Sequence, residues 1–302
     1  MADVAASVQA RLLKGAHQRG ENFNVTLARY AAERFLARLG RSSVADRYIL
    51  KGASMLTVWT REPYRGTEDI DLLASGAPDA ASIHALVTEV CALSDAEDGL
   101  VFDLGNLRVE PIRATDAPAG QRATFTALLK KARIRVQVDF GIGGAVEPAA
   151  QLVEYPALLA GTSPARLLGY PREATIAEKF HAMLTLGRSN SRMKDFHDLW
   201  ALSGLFGFDG EVLQRACGAC FARRGTPWST ELPLALAPAF YDDDELRVRW
   251  ARYLVRRTFR APPPTDFPEI GKRLLTFLGP IRASILVGET FALHWPPGGP
   301  WQ

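Results

Sequence analysis

Apolar residues recur at helical spacing between Asn24 and Leu39, with Leu27, Tyr30, Ala31, Phe35 and Leu39 on one face. Asn24 is the expected N-cap of this helix and Gly40 its end. "YILKGASMLTVW" begins as an extended run at Tyr48 and turns at Gly52 into a second predicted helix. From Thr67 to Leu73 the pattern is that of a strand. Ser82 to Leu93 reads as a helix, and Val101 to Ile112 as one or two strands broken near Gly105-Asn106. Gln121 to Phe140 alternates like a hairpin with its turn at Lys130-Lys131. After Pro148 the texture becomes helical. Helices are expected from about Arg172, across "RMKDFHDLWALSGL", and near residues 210–221, 243–259 and 267–278. "APPPTDFP" (261–268) reads as a rigid linker and "HWPPGGPWQ" as an irregular tail. No repeat or low-complexity tract interrupts this pattern.

The predicted organisation is an α+β fold with an α/β core. A helical segment (1–46) leads into a mixed catalytic core (47–150), and a helical C-terminal domain (151–302) follows. The 302 residues are 47% hydrophobic and 23% charged, which suits a soluble globular chain. A net charge of +3 and a pI near 8.8 permit a nucleic acid or nucleotide partner without requiring one. Three cysteines make no disulfide framework, and the N-terminus lacks the apolar run of a signal peptide. No stretch reaches the roughly 20 apolar residues of a bilayer span. Together these features point to the cytoplasm and away from membranes.

The sharpest chemistry lies in "RGTEDIDLL". Alternation puts Asp69 and Asp71 on one face of a strand and Ile70 and Leu72 on the other. Two carboxylates on one face repel unless a cation lies between them. In "RIRVQVDFG" the polar face of a second strand ends in a third carboxylate, Asp139. Three acids on one sheet face suit metal-assisted phosphoryl transfer. Asp-x-Asp alone is weak, since roughly one chance match is expected in a chain of this size. The control is internal: Asp242 and Asp244 also match, where acids merely favour a helix start. Upstream of the first pair, Gly52 and Ser54 form a small-residue turn that lets backbone N–H groups and a hydroxyl approach phosphate oxygens. The bland alternatives are a solvated edge-strand pair and an ordinary strand-to-helix turn.

Taken in order, "NFNVTLARYAAERFLARLGRS", "YILKGASML", "RGTEDIDLL", "RVQVDFGIG" and "EKFHAMLTLGRSNSRMKDFHDLW" resemble the AbiEii/AbiGii-type, MenT-like nucleotidyltransferase toxins. These belong to the polymerase-β-like nucleotidyltransferase superfamily. The likeness runs from about Asn22 to Leu202, and Ala53 stands where a second glycine is usual. The resemblance implies a polymerase-β-like mixed sheet, an NTP substrate, and Mg²⁺ or Mn²⁺ on Asp69 and Asp71. It further implies a lysine and an aspartate from the helical half. Lys179 matches the first, and Asp195 and Asp198 both remain candidates for the second. Lys51, Arg65, Thr67 and Lys194 fall within the matching segments as nucleotide-binding positions. A plain i,i+4 ion pair between Lys194 and Asp198 is the ordinary alternative. The implied role is a toxin that moves NMP onto an acceptor hydroxyl, the tRNA 3′ end, and is restrained by an antitoxin encoded beside it. An antibiotic-type small-molecule nucleotidyltransferase and a catalytically silent binding protein are the competing readings. Thr67 precedes Asp69 by two residues, so a phosphate or nucleotide attached there would crowd the carboxylates with negative charge.

Three weaker signals remain. Cys217 and Cys220 form a lone C-x-x-C in a predicted helix, which favours packed thiols over zinc or redox chemistry. His181 and His197 read as structural or surface residues. "RVRWARYLVRRTFR" interleaves six arginines with Trp250, Tyr253 and Phe259, a pattern shared by RNA-gripping segments and ordinary amphipathic helices.

Overall fold

The computed structural model describes residues 3–62, 64, 69–95, 97–112, 120–255, 259 and 261–302. The chain forms two compact units. One comprises Met1–Gly144 and Gln151–Tyr170, the other Ala145–Ala150 and Pro171–Gln302. This division differs from the boundaries expected at 46 and 150. The second N-terminal helix packs against the sheet and the first against the second, and two strands beyond residue 150 complete the sheet.

In the first unit, α1 (Val4–Gln18) and α2 (Phe23–Leu39) precede β1 (Tyr48–Lys51), α3 (Ser54–Thr60), β2 (Asp69–Ser75) and α4 (Ala80–Ala92). Then come β3 (Val101–Pro111), β4 (Gln121–Leu129), β5 (Ala132–Gly143), β6 (Gln151–Tyr155) and β7 (Ala165–Gly169). Among the described residues these strands make one sheet in the order β3-β4-β5-β2-β1-β7-β6. β2 lies centrally, parallel to β5 and antiparallel to β1. β1 is parallel to β7, which pairs antiparallel with the edge strand β6. β6 and β7 were not expected from the sequence. Each has five residues and gains its identity only from distant partners.

The face of α2 holding Leu27, Tyr30, Ala31, Phe35 and Leu39 is buried as its spacing predicts. Phe35 meets Phe102 and Phe125 across the sheet. The cap is Asn22, whose side chain accepts the Asn24 N–H, so the helix starts slightly earlier than expected. α2 also buries charge. Arg38 pairs with Asp98 at 2.6 Å, while Arg34 pairs with Glu33 and donates to the Ser163 carbonyl. Buried ions of this kind persist only when paired and hydrogen-bonded. β3 has the expected irregularity, a register shift between Asp103 and Arg108.

The second unit contains α5 (Arg172–Leu186), α6 (Met193–Leu205), β8 (Phe208–Asp209), α7 (Gly210–Arg223), α8 (Pro238–Tyr241), α9 (Asp244–Val255), α10 (Phe267–Val287) and β9 (His294–Trp295). α10 runs past Leu278 and through Pro280. The tail is less irregular than expected. β9 pairs with β8, Trp295 is buried, and Trp301 stacks on Phe277. Asp244 lies in the first turn of α9, the helix-start position assigned to that second Asp-x-Asp.

Candidate active site

The first-unit site is built by strand register. Lys51 on β1 lies opposite Asp71 on β2, Asp71 opposite Asp139 on β5, and Asp139 opposite Arg122 on β4. Directly paired residues share a face, so these side chains form one row across four neighbouring strands. Its charges run plus, minus, minus, plus. Asp69 stands one step along the same face, opposite Gln137. The opposite face is apolar, with Ile70, Leu72, Val138 and Phe140 fully buried. The core therefore holds the strands rigidly while their polar face carries the carboxylates.

Gly52 adds a close approach. Its φ is +68°, and a Cβ built on it would stand 2.1 Å from Asp71 Oδ2. Only glycine combines that backbone with that contact. Asp71 thus lies directly against the turn between β1 and α3. Lys51 Nζ sits 5.1 Å from the centre of the Tyr170 ring, a cation–π contact that fixes the lysine stem. Ser54 is buried at the start of α3. Arg65 and Thr67 lie outside the described residues.

Arg122 was not singled out from the sequence, yet it makes a two-pronged ion pair within the row. Its Nε and Nη2 donate to Asp139 Oδ1 and Oδ2, both at 2.7 Å. Gln137 Nε2 is 3.5 Å from Asp139 Oδ1. The hydrogen bond to Asp139 holds the guanidinium above its ordinary value. Partial burial opposes this, and the charges of Asp139, Asp69 and Asp71 reinforce it. Beside Arg122, a cavity of about 550 Å³ is lined by Glu110, Pro111, Ile112 and Arg122 itself.

The second unit carries its own charged centre. Lys179 Nζ lies 2.7 Å from both Asp195 Oδ1 and Asp198 Oδ2. The side chains of Asp195 and Asp198 are 1% and 0% exposed, so one ammonium is shared by two buried carboxylates. Asp195 also receives Arg192 Nε at 2.6 Å. Burial alone would raise the Asp195 carboxyl, but Lys179 and Arg192 more than offset it and hold the group below the usual carboxylate range. Asp198 is buried and paired with Lys179, while Lys194 is exposed on the same helix.

The weaker signals resolve into packing. Cys217 and Cys220 are buried on α7, where desolvation pushes both thiols up and keeps them protonated. His181 Nε2 is 2.8 Å from Thr226 Oγ1, and His197 Nδ1 is 2.8 Å from Tyr253 Oη. Trp250 is buried and stacked on Phe267, so it serves the core rather than offering a base-stacking platform. Arg247 and Arg252 remain exposed along α9.

The family model "Nucleotidyl transferase AbiEii toxin, Type IV TA system" matches residues 34–273. The chain belongs to the AbiEii nucleotidyltransferase toxin family. An AbiEii toxin of a type IV system has an antitoxin as its partner, an NTP as substrate and a divalent metal in its chemistry. Among solved structures, the fold is similar to MenT4, the nucleotidyltransferase toxin Rv2826c from Mycobacterium tuberculosis H37Rv. Identity is 16%, the TM-score is 0.57, and 90% of this chain and 89% of that one are covered. It is also similar to JHP933 from Helicobacter pylori, at 14% identity and a TM-score of 0.50, covering 86% and 94% of the two chains. No curated protein matches the chain in sequence. Among the described residues, no helix of this AbiEii chain is long and apolar enough to cross a membrane.

Among the described residues, no three His, Cys, Asp or Glu side chains gather into a metal cage. Mg²⁺ does not need one, because it is usually held by one or two carboxylates and by substrate phosphates. Asp69 and Asp71, on one strand face with Asp71 against a Cβ-free turn, fit that donor set.

Two outcomes follow for this AbiEii chain. Gly52→Ala would force a Cβ into the Asp71 carboxylate at a positive φ, so nucleotidyl transfer should fall at least about a hundredfold. Steady-state kinetics beside a melting curve checks this. For His181, burial and the neighbouring arginines lower the imidazole from 6.5 to about 4. The folded state keeps it neutral while the unfolded chain protonates below pH 6.5, so this share of stability is complete above 6.5 and lost as pH falls through about 4. His181→Gln should flatten the melting temperature between those limits, as calorimetry at stepped pH would show.

Proposed function

We propose that this AbiEii enzyme transfers an NMP from an NTP to the 3′ end of a tRNA, with Mg²⁺ held by Asp69 and Asp71. The observation that carries the reading is the contact of Gly52 with Asp71 in the middle of the row Lys51, Asp71, Asp139 and Arg122. It brings a divalent-metal carboxylate and a phosphate-accepting turn to one point. In the reaction, the acceptor hydroxyl oxygen forms a bond to the α-phosphorus and the bond to the bridging β-phosphate oxygen breaks. Pyrophosphate leaves and the hydroxyl proton passes to water. When bound, Mg²⁺ would supply charge neutralisation for the phosphates and activation of the attacking oxygen.

The chain's own residues do the positioning. The missing Cβ at Gly52 leaves room for phosphate oxygens beside Asp71 Oδ2, with the Ser54 hydroxyl at the same turn. Lys51, anchored on Tyr170, brings positive charge to the β1 side of the row, where triphosphate oxygens are received. Lys179 is assigned to the nucleotide. Asp195 and Asp198 share the work of orienting it, which explains why the sequence did not separate them. Lys194 is assigned to the nucleotide from its exposed place on α6, and Arg65 and Thr67 from their places beside Asp69 in the sequence. The exposed arginines of α9 favour a polyanionic acceptor.

Incubation with Mg²⁺, total RNA and each α-labelled NTP in turn tests the reading. Label in RNA of tRNA size is expected with one or more NTPs. Label confined to small molecules would move the acceptor to the antibiotic class. No transfer with any NTP would leave a binding protein that keeps the fold.

A further inference from the structure

The charged row does not stop at Arg122. Glu110 on β3 lies directly opposite it, so the row reaches the edge of the sheet as Lys51, Asp71, Asp139, Arg122 and Glu110. Glu110 is exposed, and its carboxylate makes no hydrogen bond or ion pair among the described residues although its cross-strand neighbour is an arginine. Arg122 spends Nε and Nη2 on Asp139, and Nη1 takes no part in that pair. Glu110 and Arg122, with Pro111 and Ile112, line the cavity of about 550 Å³. A cavity walled by one acceptor, one donor and two apolar side chains suits a flat heterocycle whose edge carries both hydrogen-bonding roles.

Place along the row decides which substrate brings that heterocycle. The triphosphate is assigned to the end with Lys51 and Gly52. In phosphoryl transfer the attacking and leaving oxygens stand roughly in line across the phosphorus. Pyrophosphate that leaves toward β1 therefore requires the acceptor hydroxyl to arrive from the β5 side, where β4 and β3 follow. With about 4.8 Å between strands, Arg122 and Glu110 stand roughly 10 and 14 Å from Asp71 along the row. That span accommodates one nucleoside, its hydroxyl near the carboxylates and its base at the sheet edge. We propose that the cavity holds the terminal base of the acceptor strand, and that Glu110 selects a base with an exocyclic amino group, adenine or cytosine. This deepens the function proposed above and rests on it for the identity of the acceptor. The Glu110 carboxylate accepts the amino N–H, and Arg122 donates to the ring nitrogen beside it. Guanine, uracil and hypoxanthine carry a carbonyl oxygen in place of that amine, which would set oxygen against carboxylate oxygen with no proton between them.

Equilibrium binding of labelled RNA stem-loops with a single-stranded 3′ tail, identical except for a final adenosine or inosine, tests the cavity apart from catalysis. The full wild-type chain should bind the adenosine-ended RNA about tenfold more tightly. In Glu110→Gln the side-chain amide can turn to accept from an amine or donate to a carbonyl. The preference should then fall to within about twofold, with the inosine-ended RNA bound more tightly than by the wild type. Glu97→Gln removes the same charge ahead of the far end of β3 and should keep the tenfold preference. The proposal fails if the wild type binds neither RNA or both equally, or if Glu97→Gln abolishes the preference as Glu110→Gln does. It also fails if Glu110→Gln keeps the preference, and a change in NTP choice in that variant would then assign the cavity to the incoming base. A wild type that prefers the adenosine-ended RNA yet transfers no nucleotide would overturn the proposed function and leave this site standing.

Discussion

Asp71→Asn should lower nucleotidyl transfer by about three orders of magnitude or more while leaving the melting temperature nearly unchanged. The loss follows from removing one of the two carboxylates proposed to hold the metal and replacing it with a weak neutral donor. The retained stability follows from register. Asp71 lies opposite Asp139 on one side and Lys51 on the other, so repulsion and attraction largely offset in the resting chain. Asparagine keeps the shape, and little net charge energy is lost with the carboxylate. A general folding defect would lower both quantities together. Transfer kinetics and calorimetry on the same preparation distinguish the two.

Lys179→Met should behave in the opposite way, losing both activity and stability. Its ammonium lies 2.7 Å from two carboxylates that are almost wholly inaccessible to water. Removing one member of a buried ion cluster costs about 3–5 kcal/mol, because the remaining charges lose their compensation. For a chain of this size that corresponds to roughly 10 °C in melting temperature. Adding Asp198→Asn to Lys179→Met should recover part of that loss without restoring transfer, because the neutral amide no longer needs the ammonium. Recovery of activity in the double variant would show that Lys179 only stabilises the second unit. Thermal melts and transfer rates on the four combinations form the cycle.

Much of the site was legible because it rests on local alternation. Asp69 and Asp71 share a face because strand residues two apart always do, and the buried Ile70 and Leu72 determine which face. Gly52 was visible as a turn residue, but its contact with Asp71 was not, since that depends on the antiparallel pairing of β1 with β2. Arg122 was recoverable in principle. A two-residue turn at Lys130-Lys131 pairs position 122 with 139, so extending the hairpin would have reached it. The strands β6 and β7 were hidden for a different reason. Five-residue segments carry little periodic signal, and β7 is defined by parallel pairing to β1, more than a hundred residues earlier. Trp250 left two readings open, because interleaved arginines and aromatics look alike on an RNA-binding face and on a helix that buries its rings, and its burial selects the second. Spacing alone did not separate Asp195 from Asp198, and the shared ammonium shows that both serve one lysine.

The most direct measurement of the central claim uses tRNA and an NTP labelled either on the α- or on the γ-phosphate, with the wild type and Asp71→Asn side by side. The account predicts that α-label enters the tRNA 3′ end with the wild type, that γ-label appears only in pyrophosphate, and that Asp71→Asn transfers neither. Label entering RNA from the γ-position, or undiminished α-label with Asp71→Asn, would contradict it.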